Sequence, residues 1–406
     1  EIGSGLVGSE MCIRDRSMKV IDSTAALTEF CHSLQNREFI TIDLEFLREK
    51  TYYAKLCLIQ VGAADDAAVI DPLAEGLDLS PFVELLKNPG ITKVFHSGRQ
   101  DIEILYMLTG FIPEPLFDTQ IAAMVCGYGD SVSYETLVKK ICDVELDKSS
   151  RLSNWSIRPL DKSQLCYALS DVTHLVNVYQ ALREQLKQNG RIHWLDEEAE
   201  ILKNPETYTV NPQDAWQKIK HRSHNPKMLT VLKELAAWRE SRAQRKDTPR
   251  QNVIKDDLLL NIAALCPTSI EELEQIRNMR KEVATGKLGN EIIEVLNAAR
   301  QIPAAQYVKL PKERPLPQGA AGLHELLKLL LKLTSQESGV VAKLIASDDD
   351  LKRFATFKDR NNPILKGWRK ELFGNRAIEL RNGKLSIRYD NIKHCVSITP
   401  VADVSA

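Results

Sequence analysis

Asp43-Leu44-Glu45 is the first place in the chain where two side chains of matched chemistry are spaced to act together. In an extended segment, residues two apart point to the same face, so both carboxylates project together and Leu44 turns into the core behind them. Alone, Asp-x-Glu is equally well explained by solvated acids at a strand end. Asp101 follows the strand-like run that ends at His96, opens a helix-like one, and by itself is accounted for by the attraction of a helix N-terminus for an early acid. Tyr167 and Asp171 lie four apart in a helical pattern and so share a face, although a core tyrosine and a surface acid would give the same spacing. As a set, the four acids carry more. Hard divalent cations such as Mg²⁺ take carboxylate and water oxygens. Two such ions about 3.5–4 Å apart can clamp the attacking and leaving oxygens of an in-line phosphoryl displacement. Without cations, clustered acids repel one another, so the arrangement makes physical sense mainly with metal present.

These residues need a rigid frame, and the patterning predicts one. Residues 39–46 alternate apolar and polar, and 56–61 and 67–70 follow after short polar turns, as antiparallel neighbours do. Helix-like 81–87, strand-like 92–96 and helix-like 101–108 then alternate, which implies parallel strands with helical crossovers. The expectation is an α/β domain over 18–205 with a mixed sheet of about five strands and helices on both faces. Residues 161–188 read as one long helix, with Leu165, Leu169, Val172, Leu175 and Tyr179 at helical spacing, Asp161 as its cap and Gly190 just past its end. From Asn211 the pattern is helical through Asn297, interrupted at Pro249 and Pro267, giving a second, mainly α-helical domain over 211–300. Residues 301–319 carry Pro303, Pro311, Pro315 and Pro317 and read as a linker. The segment 320–406 is helical again, and its Asn382-Gly383 signals a β-hairpin within 378–387. Residues 1–17 show neither period and resemble translated sequencing-adapter readthrough, with Met18 as the expected start.

Composition excludes some classes. No run of about 18 uncharged apolar residues exists, and the stretch 326–333 is broken by Lys328 and Lys332, so no membrane span is expected. Eight cysteines without a Cys-x-x-Cys pair argue against zinc and for a reducing, cytoplasmic setting. The net charge of −1 says little, but ten basic residues against three acids lie between Lys218 and Arg250. That run is either a solvated helix face or a phosphate-tracking surface.

Ile42-Asp43-Leu44-Glu45-Phe46, His96-Ser97-Gly98-Arg99-Gln100-Asp101 and Tyr167-Ala168-Leu169-Ser170-Asp171 resemble the three exonuclease motifs of the DEDD superfamily, in the subgroup with tyrosine. Leu56-Cys57-Leu58-Ile59-Gln60-Val61, Phe117-Asp118-Thr119-Gln120 and Trp155-Ser156-Ile157-Arg158-Pro159-Leu160 resemble bacterial ribonuclease D, and the likeness covers roughly 20–189. It implies an RNase H-like fold and a 3′→5′ exoribonuclease that uses two divalent ions, Mg²⁺ or Mn²⁺. Nucleoside 5′-monophosphates would leave a free RNA 3′ end, with tRNA precursors as the implied substrate and no obligate protein partner. It also implies roles. Asp43 bridges both ions, Glu45 and Asp171 complete one shell, Asp101 completes the other, and Tyr167 holds the attacking water. Glu45 and Phe46 meet the terminal nucleotide. His96 is a substrate contact or a hydrogen-bonded strand-end residue, Trp155 a base platform or core, Arg158 a phosphate ligand or half of a salt bridge, and Asp118 a helix cap. Trp238-Arg239 through Pro249, Ile254, Asp257, Leu258 and Pro267 are similar to an HRDC domain, a small helical nucleic-acid-binding module, and 339–347 weakly resembles a second, degenerate copy. The hairpin signal departs from that module, and Asn154 stands where relatives are expected to carry Asp. The competing functions are a 3′→5′ DNA exonuclease and a non-catalytic RNA-binding scaffold, which would have no reason to keep all four acids and the tyrosine.

Overall fold

Alternation along Phe39–Leu47 turns Ile40, Ile42 and Leu44 into one apolar core and leaves Thr41, Asp43 and Glu45 on the opposite face. In this computed structural model, residues 19–147, 149–310, 316–356, 359–392 and 394–401 are described; the 1–17 leader and the linker's 311–315 lie outside them. In chain order the first half comprises β1 (Val20–Ile21), α1 (Thr24–Leu34), β2 (Phe39–Leu47), β3 (Lys55–Gly62), β4 (Ala67–Ile70), α2 (Ser80–Lys87) and β5 (Thr92–Phe95). It continues with α3 (Arg99–Thr109), β6 (Leu116–Asp118), α4 (Thr119–Val125), α5 (Tyr134–Cys142), α6 (Lys162–Gln188) and α7 (Trp194–Lys203).

The strands form one mixed sheet in the order β1-β4-β3-β2-β5-β6. β2, β3 and β4 pair antiparallel, while β1, β5 and β6 join parallel to β4, β2 and β5. Six strands replace the expected five or so. Two residues of β1 and three of β6 are too short to display a period, so only pairing reveals them. One face packs on α1, α2 and α3 and the other carries α6.

α6 begins with a capping box, in which the Asp161 carboxylate accepts from the Gln164 amide at 2.8 Å and Gln164 returns the bond at 3.0 Å. Its stripe of Ala168, Leu169, Val172, Leu175 and Val176 lies against the sheet. The approach is close because β3 ends in Gly62. A Cβ there would sit 2.6 Å from Thr41 Oγ1 and 3.0 Å from the Val172 carbonyl oxygen, which already accepts from Thr41 Oγ1 at 2.8 Å.

The remainder is helical: α8 (Pro226–Arg245), α9 (Arg250–Val253), α10 (Asp256–Leu265), α11 (Ile270–Glu274), α12 (Lys281–Ala284), α13 (Lys287–Arg300), α14 (Gln318–Ser338), α15 (Ala342–Ile345), α16 (Asp348–Ala355), α17 (Gly367–Arg369) and α18 (Asn375–Arg381), then β7 (Leu385–Asp390) and β8 (Cys395–Pro400). Helices α8 to α13 enclose their own core, against which Val308 and Leu310 also pack. The C-terminal helices instead share a core with α4, α5 and α6, and Trp368 stacks on Trp194 with ring centroids 4.4 Å apart. Asn382-Gly383 does not turn a hairpin. It ends α18, with Gly383 at φ +72° and the Lys384 amide donating back to the Glu379 carbonyl at 2.9 Å; β7 starts only afterwards. Helix ends and hairpin turns both need a left-handed glycine, so the dipeptide alone does not distinguish them.

Gly62→Ala is expected to destabilise the protein by about 1–3 kcal/mol, because the nearest atoms belong to a seated helix carbonyl and its hydroxyl donor. A lower urea midpoint checks this; an unchanged one would show that α6 can move aside.

Candidate active site

β2 and α6 face one another across the site. One carboxylate oxygen each from Asp43, Glu45 and Asp171 lie within 4.8 Å of one another. Asp101 reaches the same cavity from the first turn of α3 and is 8% exposed. The chain reaches α3 through a tight turn after β5. Ser97 has φ +57°, and Gly98 lies so near Phe95 that a Cβ would sit 2.4 Å from the Phe95 Cβ. Asp118 at the end of β6 secures this turn. Its carboxylate accepts from the Ser97 and Gly98 amides at 3.1 and 2.9 Å and also caps α4 through Gln120 at 2.8 Å. Asp118 is therefore a helix cap, and it also holds the turn that delivers Asp101. The cavity has a volume of about 410 Å³ and includes Phe46, His96 and Tyr167 in its walls.

Burial raises the pKa of all four acids. It lifts Asp43 to about 7. For Glu45 the same desolvation, helped by the charges of Asp43, Asp171 and Asp101, gives about 9. Asp101 and Asp171 are pushed well above the ordinary carboxylate range by burial and then by Asp43. Asp43 is thus the charge felt by the other three. Tyr167 is raised too, by burial and then by Asp171, Glu45 and Asp43, and its hydroxyl bonds to Asp171. It remains a protonated phenol, a donor and not a base. A pocket that holds four carboxyls this reluctant to ionise, with oxygen as its donor atom, fits hard divalent cations.

A family model described as a 3′-5′ exonuclease matches residues 18–187, and an HRDC domain model matches 228–296. A ribonuclease D of Acidiphilium cryptum is 45% identical over 91% of this chain and 94% of its own length. One from Bartonella henselae is 42% identical over 93% and 94%. The chain belongs to the ribonuclease D family. It is a metal-dependent 3′→5′ exoribonuclease. The solved Escherichia coli RNase D, described as an exoribonuclease involved in structured RNA processing, superposes with a TM-score of 0.77 at 28% identity. That match covers 90% of this chain and 99% of that one.

Two expected substrate contacts take other places in this ribonuclease D fold. Arg158 has no donor left for phosphate. Its Nε and Nη2 bind Asp71 at 2.5 and 2.6 Å, Nη2 also binds the Cys57 carbonyl at 2.7 Å, and Nη1 binds the carbonyls of Trp155 and Ile157 at 2.7 and 2.9 Å. All five N–H groups are engaged, and the guanidinium helps hold the Asp71 carboxyl below its usual range against burial. Trp155 is 2% exposed in a small core with Cys57, Leu58, Val69 and Leu169, so it offers no face to a base. Its ring lies 6.0 Å from that of Tyr167 and backs it. His96 does line the cavity. Its Nδ1 lies 3.0 Å from Thr119 Oγ1, which itself donates to the Phe95 carbonyl at 3.0 Å, and its Nε2 is buried. Burial lowers its pKa and keeps it neutral.

Tyr134, Arg151 and Gln100 also line the cavity and carry no sequence signal at the spacings that reveal the acids. The Tyr134 hydroxyl donates to the Asp171 and Ser170 carbonyls at 2.7 and 3.2 Å, fixing the turn of α6 that presents Asp171. Only the tertiary approach of α5 to α6 creates that contact.

An acid with a higher pKa folded than unfolded retains its proton better in the folded state, so stability falls as pH rises between the two values. For Glu45 that window runs from 4.5 to about 9, and for Asp43 from 3.8 to about 7. Metal-stripped protein is therefore expected to lose Tm from about pH 5 to about pH 8, and added Mn²⁺ should restore more at the upper end. Scanning calorimetry with and without chelator checks this; a metal-free Tm that is flat or rises with pH would contradict it.

Proposed function

We propose that this enzyme removes nucleoside 5′-monophosphates one at a time from the 3′ end of RNA, with tRNA precursors as substrates. Asp43, Glu45, Asp101 and Asp171 would hold two Mg²⁺ or Mn²⁺ ions. The observation that carries this reading is the convergence of four acids and Tyr167, from β2, α3 and α6, in one cavity. When bound, the ions supply Lewis acidity at phosphorus and lower the pKa of the attacking water. Asp43 suits the shared ligand because its charge acts on each of the other acids. Glu45 and Asp171 cluster with it within 4.8 Å, and Asp101 approaches from α3. Tyr167, held protonated and backed by Trp155, orients the attacking water by hydrogen bonding. Phe46 packs against the terminal nucleotide, Glu45 accepts from its hydroxyl, and His96 stands in the same wall. The 3′ oxygen of the shortened strand leaves and takes up a proton.

Segment 320–406 fits a second, degenerate HRDC-like module. A long helix is followed by a four-residue helix in both α8-α9-α10 and α14-α15-α16. In each, the short helix and the next begin six residues apart. The residues ending the short helices, Ile254 and Ala346, share an extended backbone at φ −153°, ψ 136° and φ −156°, ψ 142°. The HRDC region would hold the body of the RNA. No helix among the described residues is long and apolar enough to cross a membrane, and the described cysteines are free, which suits a cytoplasmic enzyme.

Asp43→Asn is expected to lower hydrolysis more than about 100-fold, beyond what loss of a ligand's supporting group brings, while RNA binding persists. Degradation of 5′-labelled RNA with Mg²⁺, Mn²⁺ or chelator reads this as a ladder shortening from the 3′ end. Unimpaired hydrolysis, or fragments from internal cuts, would refute the assignment.

A further inference from the structure

A second cavity, of about 420 Å³, opens between the nuclease sheet and the helical segment, with Arg48, Tyr52, Arg99, Lys218 and Arg250 in its walls. It adjoins the active site. Phe46 and Gln100 wall the first cavity, while Arg48 and Arg99, two residues and one residue away in sequence, wall the second. A strand whose 3′ end enters the first cavity therefore has the second beside its exit.

The partners of each cation decide which are available. Arg48 is bound to Glu103 through both terminal nitrogens. Arg250 is bound to Glu240, and both it and Glu240 bond the Tyr52 hydroxyl. These arginines are neutralised and build the wall. Arg99 is exposed, and among the described residues its one hydrogen bond is a 3.4 Å contact to the Thr207 carbonyl. Lys218 is exposed and has no ion pair among the described residues. Glu103 and Glu240 are committed to the paired arginines, so among the lining cations Arg99 and Lys218, one from each segment, have no acidic partner among the described residues.

The relative position of the walls is fixed. The Tyr52 and Tyr53 amides both donate to Asp247 at 3.0 Å, and Gln244 Nε2 donates to the Val210 carbonyl at 2.9 Å and to the Tyr52 hydroxyl at 3.2 Å. A cationic cleft beside an exonuclease site matches a single-stranded phosphate backbone.

We propose that this cleft binds phosphates of the RNA strand upstream of its 3′ end, through Arg99 and Lys218. The proposal rests on the exoribonuclease reading and adds to it the path of the substrate. It implies that the enzyme distinguishes long strands from the shortest ones.

The test uses the full chain with Mn²⁺, an Arg99→Ala/Lys218→Ala double variant, a single-stranded RNA of about 20 nucleotides and a dinucleotide. KM for the long RNA is expected to rise roughly tenfold with kcat unchanged, and the dinucleotide to be cleaved as before. In an Asp43→Asn background, the slope of log affinity against log salt for the long RNA should shrink by about 1.4, two single-strand phosphates at ~0.7 each. The Arg99→Lys/Lys218→Arg variant should keep both values. An unchanged slope, an equal loss on both substrates, or failure of the charge-preserving variant would overturn the proposal. A wild-type enzyme inert on both substrates would instead refute the exoribonuclease reading, and the binding slope would still decide the role of the cleft.

Discussion

Repulsion among closely held, desolvated carboxylates is the constraint around which this molecule is arranged. Left alone, Asp43, Glu45, Asp101 and Asp171 would move apart or take up protons, since burial raises the pKa of each and the charge of Asp43 raises the other three further. They stay together because each is fixed by something stiffer than a side chain. Asp43 and Glu45 ride on a central strand paired on both sides. Asp171 is fixed by α6, which sits on β2 through the Thr41–Val172 bond and is steadied by Tyr134. Asp101 depends on a turn whose amides are held by Asp118. Carboxyls that a rigid frame holds this close are the kind of oxygen-donor set that hard divalent cations relieve.

The same frame extends into the helical half. The loop after β2 begins three residues beyond Glu45 and ends against the HRDC region, where Asp247 accepts from two of its amides and Glu240 from the Tyr52 hydroxyl. Glu240 is fully buried yet its carboxyl lies below the ordinary range, because Arg250 and Tyr52 bond to it and outweigh desolvation. A buried charge of this kind persists only with its partners in place. The segment that carries Asp43 and Glu45 is therefore continuous with the one that sets the neighbouring domain.

How much of this was legible follows from how local each signal is. Period two in β2 and spacing four in α6 are properties of short segments, so the faces of Asp43, Glu45, Tyr167 and Asp171 could be read directly, as could the α6 cap. Their convergence depends on sheet order, which the residues alone do not give, and the family likeness supplied it. β1 and β6 exist only through pairing. The basic run 218–250 looked like one surface, but Arg239 is 3% exposed and bound to Asp256, Arg242 to Glu291 and Arg250 to Glu240. Counting charges overstates such a surface because acids from distant positions cancel part of it.

The string Trp155–Leu160 shows why resemblance marks importance more reliably than role. β3 carries an irregularity opposite β2: Glu45 pairs with Leu58 and Phe46 with Leu56, leaving Cys57 unmatched. A bulge of this kind bends the strand and re-aims neighbouring side chains. Arg158 binds the Cys57 carbonyl within that bulge and anchors itself to Asp71 beyond the end of β4, while Trp155 fills the space beneath and backs Tyr167. A guanidinium and an indole beside a nuclease site suggest phosphate and base. Here they instead hold the backbone of β3 at the irregularity opposite Glu45 and Phe46, whose side chains line the cavity.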